Sequence, residues 1–231
     1  MDNNRKDAEK CPFYDSCNHI DCDTFCLKKY KSNHYFDLGF IPENKRCKLP
    51  LRVDSDGRDI EAFNTLSNVE KNIDKFVYKG SNLYLYSSTA GNGKTSWAFR
   101  LLRAYVNKVW YKEDIRPIVM FISVPRFLLE LKSNISQKSG YIEEIEKSIL
   151  DCDLVVWDDI GNKVGTEFEV SHLLSILDTR LNNNKSNIYT SNLNQEDLHS
   201  FLGDRLYSRV YNYSTCIEFV GRDKRGIRDD K

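Results

Sequence analysis

The stretch Asn82-Leu83-Tyr84-Leu85-Tyr86-Ser87-Ser88-Thr89-Ala90-Gly91-Asn92-Gly93-Lys94-Thr95-Ser96-Trp97-Ala98 decides how the rest of the chain is read. It predicts a buried strand, a tight loop of small residues and the opening of a helix. The loop follows the phosphate-binding pattern G-x-x-x-x-G-K-[ST] with one departure: Ser88 stands at the first Gly, while Gly93, Lys94 and Thr95 complete it. The small residues Ser88, Thr89, Ala90, Gly91, Asn92 and Gly93 let backbone N–H groups turn inward around a phosphate. The helix beginning near Gly93 adds the free N–H groups of its first turn, through Ser96, and its positive dipole end. In such a loop Lys94 reaches the β- and γ-phosphates of ATP or ADP, and Thr95 offers its hydroxyl to Mg²⁺. The ordinary alternative is a glycine-containing turn, but strand, loop and helix all sit where the phosphate motif requires them.

The chain has 231 residues, a formal net charge of +0 and 40% hydrophobic residues. That fits one domain of about 150–180 residues and a small module. A neutral balance argues against general coating of nucleic acid and leaves room for a local basic patch. No apolar run has the length of a membrane span and the N-terminus reads as no secretory signal, so a cytoplasmic protein without membrane contact is expected. Seven cysteines in a cytoplasmic chain point to metal or free thiols rather than disulfides.

The cysteines concentrate at the start, as Cys11-x5-Cys17-x4-Cys22-x3-Cys26. Thiolates at this density suit a tetrahedral Zn²⁺ site; an iron–sulfur cluster takes the same ligands, and free surface thiols are the plainer reading. Residues 1–50 are expected to form a cysteine-rich module whose aromatic surplus, including Phe13, Tyr30, Tyr35, Phe36 and Phe40, partly faces a partner. Residues 51–58 read as a linker within a charged, Pro- and Gly-containing stretch, and 59–231 as the main domain.

In that domain a helix over Asp59–Lys79 precedes the strand Leu83–Ser87. Helix Lys94–Tyr111 follows, then strand Ile118–Val124, whose unbroken apolar run is that of a strand buried on both faces. Leu154-Val155-Val156-Trp157-Asp158-Asp159 is a third apolar strand ending in two acids. At the carboxyl end of a parallel strand these acids lie beside the phosphate loop. Asp158 is placed to hold Mg²⁺ and Asp159 to orient the attacking water. Thr166 and Glu169 form a capping box for the next helix. Strand Asn187–Ser191 ends at Asn192, which either touches the γ-phosphate or caps the turn. A helix carrying Arg205 and Arg209 and a strand Thr215–Val220 close the domain, with a basic tail over 221–231.

These motifs resemble, in order and spacing, the AAA+ replicative helicase loaders of bacteria and their phages, the DnaC/DnaI type, most of all those of phages of Gram-positive hosts. The quoted carriers are the phosphate loop, Cys152 to Gly161, Thr190-Ser191-Asn192, and Leu202-Gly203-Asp204-Arg205-Leu206-Tyr207-Ser208-Arg209; the resemblance covers residues 60–225. Transposition ATPases of the IstB type share the ATPase motifs. The resemblance implies an α/β fold: a P-loop AAA+ core with a central parallel sheet flanked by helices and no C-terminal helical lid. It implies that Asn192 is sensor I, that Arg209 is an arginine finger reaching a neighbouring subunit's ATP, and that Arg225 is sensor II, with Arg222 and Arg228 as alternatives. It further implies a slow ATPase that self-assembles, grips the hexameric replicative DNA helicase and places it on single-stranded DNA. The competing readings are a non-hydrolysing ATP-bound adaptor or inhibitor of the helicase, or a transposition ATPase of the IstB type. Asp159, where the family usually has Glu, predicts weak hydrolysis.

Overall fold

The computed structural model describes residues 11, 13, 26–47, 51, 57–112, 116–136, 140–162 and 166–224. Its centre is a five-stranded sheet in the order β2-β3-β4-β1-β5. The strands are β1 (Asn82–Tyr86), β2 (Val119–Ser123), β3 (Leu154–Asp158), β4 (Ser186–Ser191) and β5 (Thr215–Glu218). Every neighbouring pair runs parallel, as expected from the apolar strands. In register, Tyr86 faces Ser191 and Ser123 faces Asp158. The ends of β1, β3 and β4 therefore meet on one edge of the sheet.

Alternation along the strands explains the unbroken apolar runs. Leu83, Leu85, Val156 and Ile188 enter one core layer, beneath helices α1 (Leu27–Leu38), α3 (Ile60–Lys71), α4 (Ile73–Tyr78) and α5 (Lys94–Val109). Tyr84, Val155, Trp157 and Tyr189 enter the other, beneath α6 (Val124–Ser136), α7 (Gly140–Asp151), α8 (Glu167–Asn182) and α9 (Gln195–Tyr207). A strand covered on both faces needs apolar side chains at every position, not at every second one. No helix among the described residues is long and apolar enough to cross a membrane.

The structure differs from the sequence reading in several places. The single helix expected over 59–79 is interrupted at Asn72, whose φ of −113° separates α3 from α4. The Asn72 amide donates to the Asn68 carbonyl at 3.1 Å, a local side-chain bond that competes with the helical ladder. Helix α9 is kinked at Gly203, with φ +69°, and runs into a π-helical turn over Ser208–Asn212. Part of the 1–50 stretch does not stand apart from the main domain. Tyr35, Phe36 and Ile41 are buried in the same core as Leu66 and Trp97. The Gly39 carbonyl accepts the Phe121 N–H at 2.9 Å, so the corner after α1 covers the outer edge of β2. A Cβ at Gly39 would lie 2.3 Å from the Val119 oxygen, which reserves this contact for glycine. Residues 41–47 carry the short helix α2 (Glu43–Arg46), with Arg46 bonded to Asp37 at 2.6 Å and to the Ile41 carbonyl at 2.9 Å. Of the aromatic surplus, Tyr35 and Phe36 are core, whereas Tyr30 and Phe40 are exposed.

Candidate nucleotide site

The loop between β1 and α5 is bent by two glycines in left-handed conformations, Gly91 (φ +77°) and Gly93 (φ +109°). Its inner face is fixed by side chains. Ser87 Oγ accepts the Thr89 N–H at 3.0 Å and the Asn92 amide. Asn92 also donates to the Phe219 carbonyl at 3.3 Å. Lys94 is 6% exposed, and its Nζ donates to the Thr89 carbonyl at 3.1 Å and to Asn92 Oδ1 at 3.2 Å. A buried ammonium is stable only with acceptors around it. Here they are groups of the loop itself, which a phosphate oxygen can replace.

Across from the loop, Asp158 Oδ1 accepts the Thr95 hydroxyl at 2.9 Å and the Thr190 hydroxyl at 2.7 Å. Sheet order explains the convergence: β4, carrying Thr190, lies between β1 and β3. Thr190 Oγ1 in turn accepts the Asp159 N–H at 3.0 Å. Burial pushes the Asp158 carboxyl above the ordinary carboxylate range, and the Asp159 charge adds to this; the Thr190 and Thr95 hydroxyls and Lys94 pull it back. The clustered hydroxyl and carboxylate oxygens are the donor set that Mg²⁺ takes.

Asp159 has φ +59°, the left-handed region, so the chain turns sharply off β3 at the second acid. The peptide is then held by the Asn162 N–H to the Asp159 carbonyl at 3.3 Å. Asn192 is exposed and follows β4 directly. Ser88 and Ala90 are exposed; Thr89 and Ser96 are half-buried. The structure thus gathers residues 88–96, Asp158 and Asp159 at one sheet edge.

The sequence model of one family, described as IstB-like ATP binding protein, matches residues 51–210. The chain belongs to this family. Among curated relatives of this IstB-like chain, the replicative helicase loader DnaC of Escherichia coli (strain K12) is 22% identical over 173 residues, 74% of this chain and 66% of the relative. DnaC of Shigella flexneri gives the same figures. The chain thus spans just under two thirds of the length of these relatives. Solved structures share the fold. The DnaC helicase loader superposes with a TM-score of 0.59 at 22% identity, covering 74% of this chain and 93% of that one. A putative primosome component from Streptococcus pyogenes serotype M3 gives 0.62 at 18% identity, covering 83% and 98%. AMPPCP-bound DnaA from Aquifex aeolicus gives 0.53 at 22%, covering 70% and 46%.

Other expected site residues of the IstB-like chain fall elsewhere. Arg209 lies on the π-helical turn, where its Nε donates to Asp178 of α8 and its guanidinium sits 5.8 Å from the Tyr213 ring centre. Arg225, Arg228, Cys17 and Cys22 lie outside the described residues. Cys11 and Cys26 are half-buried. Among the described residues no group of three or more His, Cys, Asp or Glu side chains is placed to hold a metal ion. Phe127 of α6 is core, 6.5 Å from the Trp157 ring centre. Thr190 was missed as a site residue. Its buried hydroxyl finds a partner in Asp158 only because β4 lies beside β3, an order that the residues of β4 do not disclose.

Proposed function

We propose that this protein is an ATP-dependent loader that binds the hexameric replicative DNA helicase and helps place it on single-stranded DNA. The observation that carries the proposal is the buried Lys94 facing the Thr95–Asp158 contact at 2.9 Å, in a fold shared with the DnaC helicase loader. In this reading Lys94 and the loop N–H groups hold the phosphates of ATP. Thr95 and Asp158 hold Mg²⁺, which when bound neutralises charge on the phosphates. Asp159 orients the attacking water and Asn192 contacts the γ-phosphate. Arg209 serves a neighbouring subunit in a self-assembled array, and Arg225 serves as sensor II. Release of Arg209 from Asp178 is then part of assembly.

Lys94→Ala is expected to abolish ATP binding while the folded protein still captures the helicase in a pull-down. The exposed Tyr30 and Phe40 of the N-terminal stretch lie outside the phosphate loop and support this division. Loss of both activities in folded Lys94→Ala protein refutes the separation. The competing reading, an ATP-bound adaptor without turnover, draws on the pairing of Arg209 with Asp178 of its own chain. Hydrolysis measured with helicase and single-stranded DNA present separates the two.

The cysteine-rich start is part of the same proposal, as a Zn²⁺ site formed by Cys11, Cys17, Cys22 and Cys26. Elemental analysis of anaerobically purified protein is expected to find one zinc per chain. Neither zinc nor iron in the protein removes the metal site. Chelation is expected to leave ATP binding intact, because Lys94 is held by Thr89 and Asn92, and Asp158 by Thr95 and Thr190.

A further inference from the structure

Asp59 immediately precedes α3, where an aspartate ordinarily accepts an N–H from the helix's first turn. It makes no such bond. Its side chain is fully buried and points to the segment that leaves β5. Asp59 Oδ1 accepts the N–H groups of Val220 at 2.9 Å and Gly221 at 3.0 Å, and Oδ2 accepts Lys224 Nζ at 3.2 Å. The same segment touches the phosphate loop twice. The Lys224 N–H donates to the Gly91 carbonyl at 3.0 Å, and the Asn92 amide donates to the Phe219 carbonyl at 3.3 Å. Asn92 Oδ1 is also an acceptor for Lys94. A continuous set of bonds thus runs from Asp59 through residues 219–224 to Lys94.

We propose that Asp59 is a positioning residue for the nucleotide site: it fastens residues 219–224 as a strap against Gly91 and Asn92, and the strap slows departure of bound nucleotide. Burying a carboxylate is costly unless its oxygens are fully used. Here the donors that repay it lie beyond the last strand, on a segment whose backbone would otherwise bond to water. The ammonium of Lys224, 6.0 Å from the Phe63 ring centre, closes the strap over α3. The proposal rests on the nucleotide-binding reading of the loop.

The test is stopped-flow displacement of a fluorescent ADP analogue from the full chain with Mg²⁺. Asp59→Ala is expected to release the analogue at least about tenfold faster, since a hydrogen bond to a charged group is worth roughly that factor or more. Asp59→Asn keeps an oxygen for the Val220 and Gly221 N–H groups but sets a second donor against Lys224 Nζ, so its release rate is expected to fall between those of the parent and Asp59→Ala. Folded Asp59→Ala protein that releases at the parent's rate overturns the strap. If Asp59→Ala does not fold, hydrogen exchange of the parent decides: ADP is expected to slow exchange of the Val220, Gly221 and Lys224 amides. Unchanged exchange there overturns the strap. A parent chain that binds no analogue overturns the nucleotide reading itself, and the strap with it.

Discussion

Arg180→Met will destabilise the protein by about 3–5 kcal/mol, a fall of roughly 10 °C in melting temperature for a domain of this size. Arg180 is 0% exposed. Its Nε donates to Asn187 Oδ1 at 2.7 Å, and its two terminal nitrogens donate to the carbonyls of Ile149, Cys152 (3.0 Å) and Ser186 (2.6 Å). Burial lowers the guanidinium pKa from its ordinary value. Methionine fills much of the volume but leaves three buried carbonyls without that donor, at about 1–3 kcal/mol each, less the desolvation cost recovered when the charge is removed. Asn187 Oδ1 keeps the Trp157 indole N–H at 3.0 Å, so the network is cut rather than dissolved. These bonds join the end of α7, the start of β3 and the start of β4, at the sheet edge opposite the phosphate loop. Urea unfolding measures the loss, and a change below about 1 kcal/mol would show that the carbonyls find other donors. ATP affinity of the folded variant is expected to match the parent.

The same residue shows what a sequence discloses and what it hides. An arginine in the last turn of a helix reads as a solvated cation favourable to the helix dipole. Yet the buried residues of α8 are Glu169, Leu173, Ile176, Leu177 and Arg180, the spacing of one helical face. The periodicity put Arg180 on the inward stripe; its charge argued against it, and packing decided. β1, β2 and β3 were legible from their apolar runs, whereas β4 and β5 carry mostly polar residues; the capping box of Thr166 and Glu169 formed as read. The phosphate loop was legible because backbone geometry restricts it to small residues. The order of the strands was not, since nothing in β4 itself says that it lies between β1 and β3. For that reason Thr190, which bridges to Asp158 only through that order, and Asp59, which meets a segment 161 residues away, escaped the sequence. The packing of residues 26–47 onto β2 escaped for a related reason: amid so many charges, Tyr35 and Phe36 read as part of a surface for a partner rather than as core.

Asp159→Asn will slow ATP hydrolysis by up to about 10²-fold, what is left of a positioned acid–base group's contribution when the carboxylate is set back, and leave ATP affinity within about threefold of the parent. The expectation follows from where the two acids sit. Asp158 is occupied by the Thr95 and Thr190 hydroxyls. Asp159 turns away from the strand at φ +59° and is held through its backbone, its N–H on Thr190 and its carbonyl accepting from Asn162. Asparagine tolerates the left-handed region as aspartate does, so the substitution removes charge without moving the turn. Asp159→Gly provides the complement. It keeps the left-handed turn and is expected to lose hydrolysis to the same degree with thermal stability little changed, since glycine's greater entropy loss on folding offsets the strain it relieves. The parent rate is itself expected to be low. A carboxylate one methylene shorter than glutamate falls back by roughly 1–1.5 Å, and about 1 Å of misplacement costs on the order of 100-fold. Single-turnover hydrolysis, measured with helicase and single-stranded DNA, gives the rates, and equilibrium titration gives the affinities. Equal rates for parent and Asp159→Asn protein would mean that Asp159 orients no water. The left-handed turn at the end of β3 would then serve only to carry the chain past Asp158, and the ATP-bound adaptor would become the better account of this site.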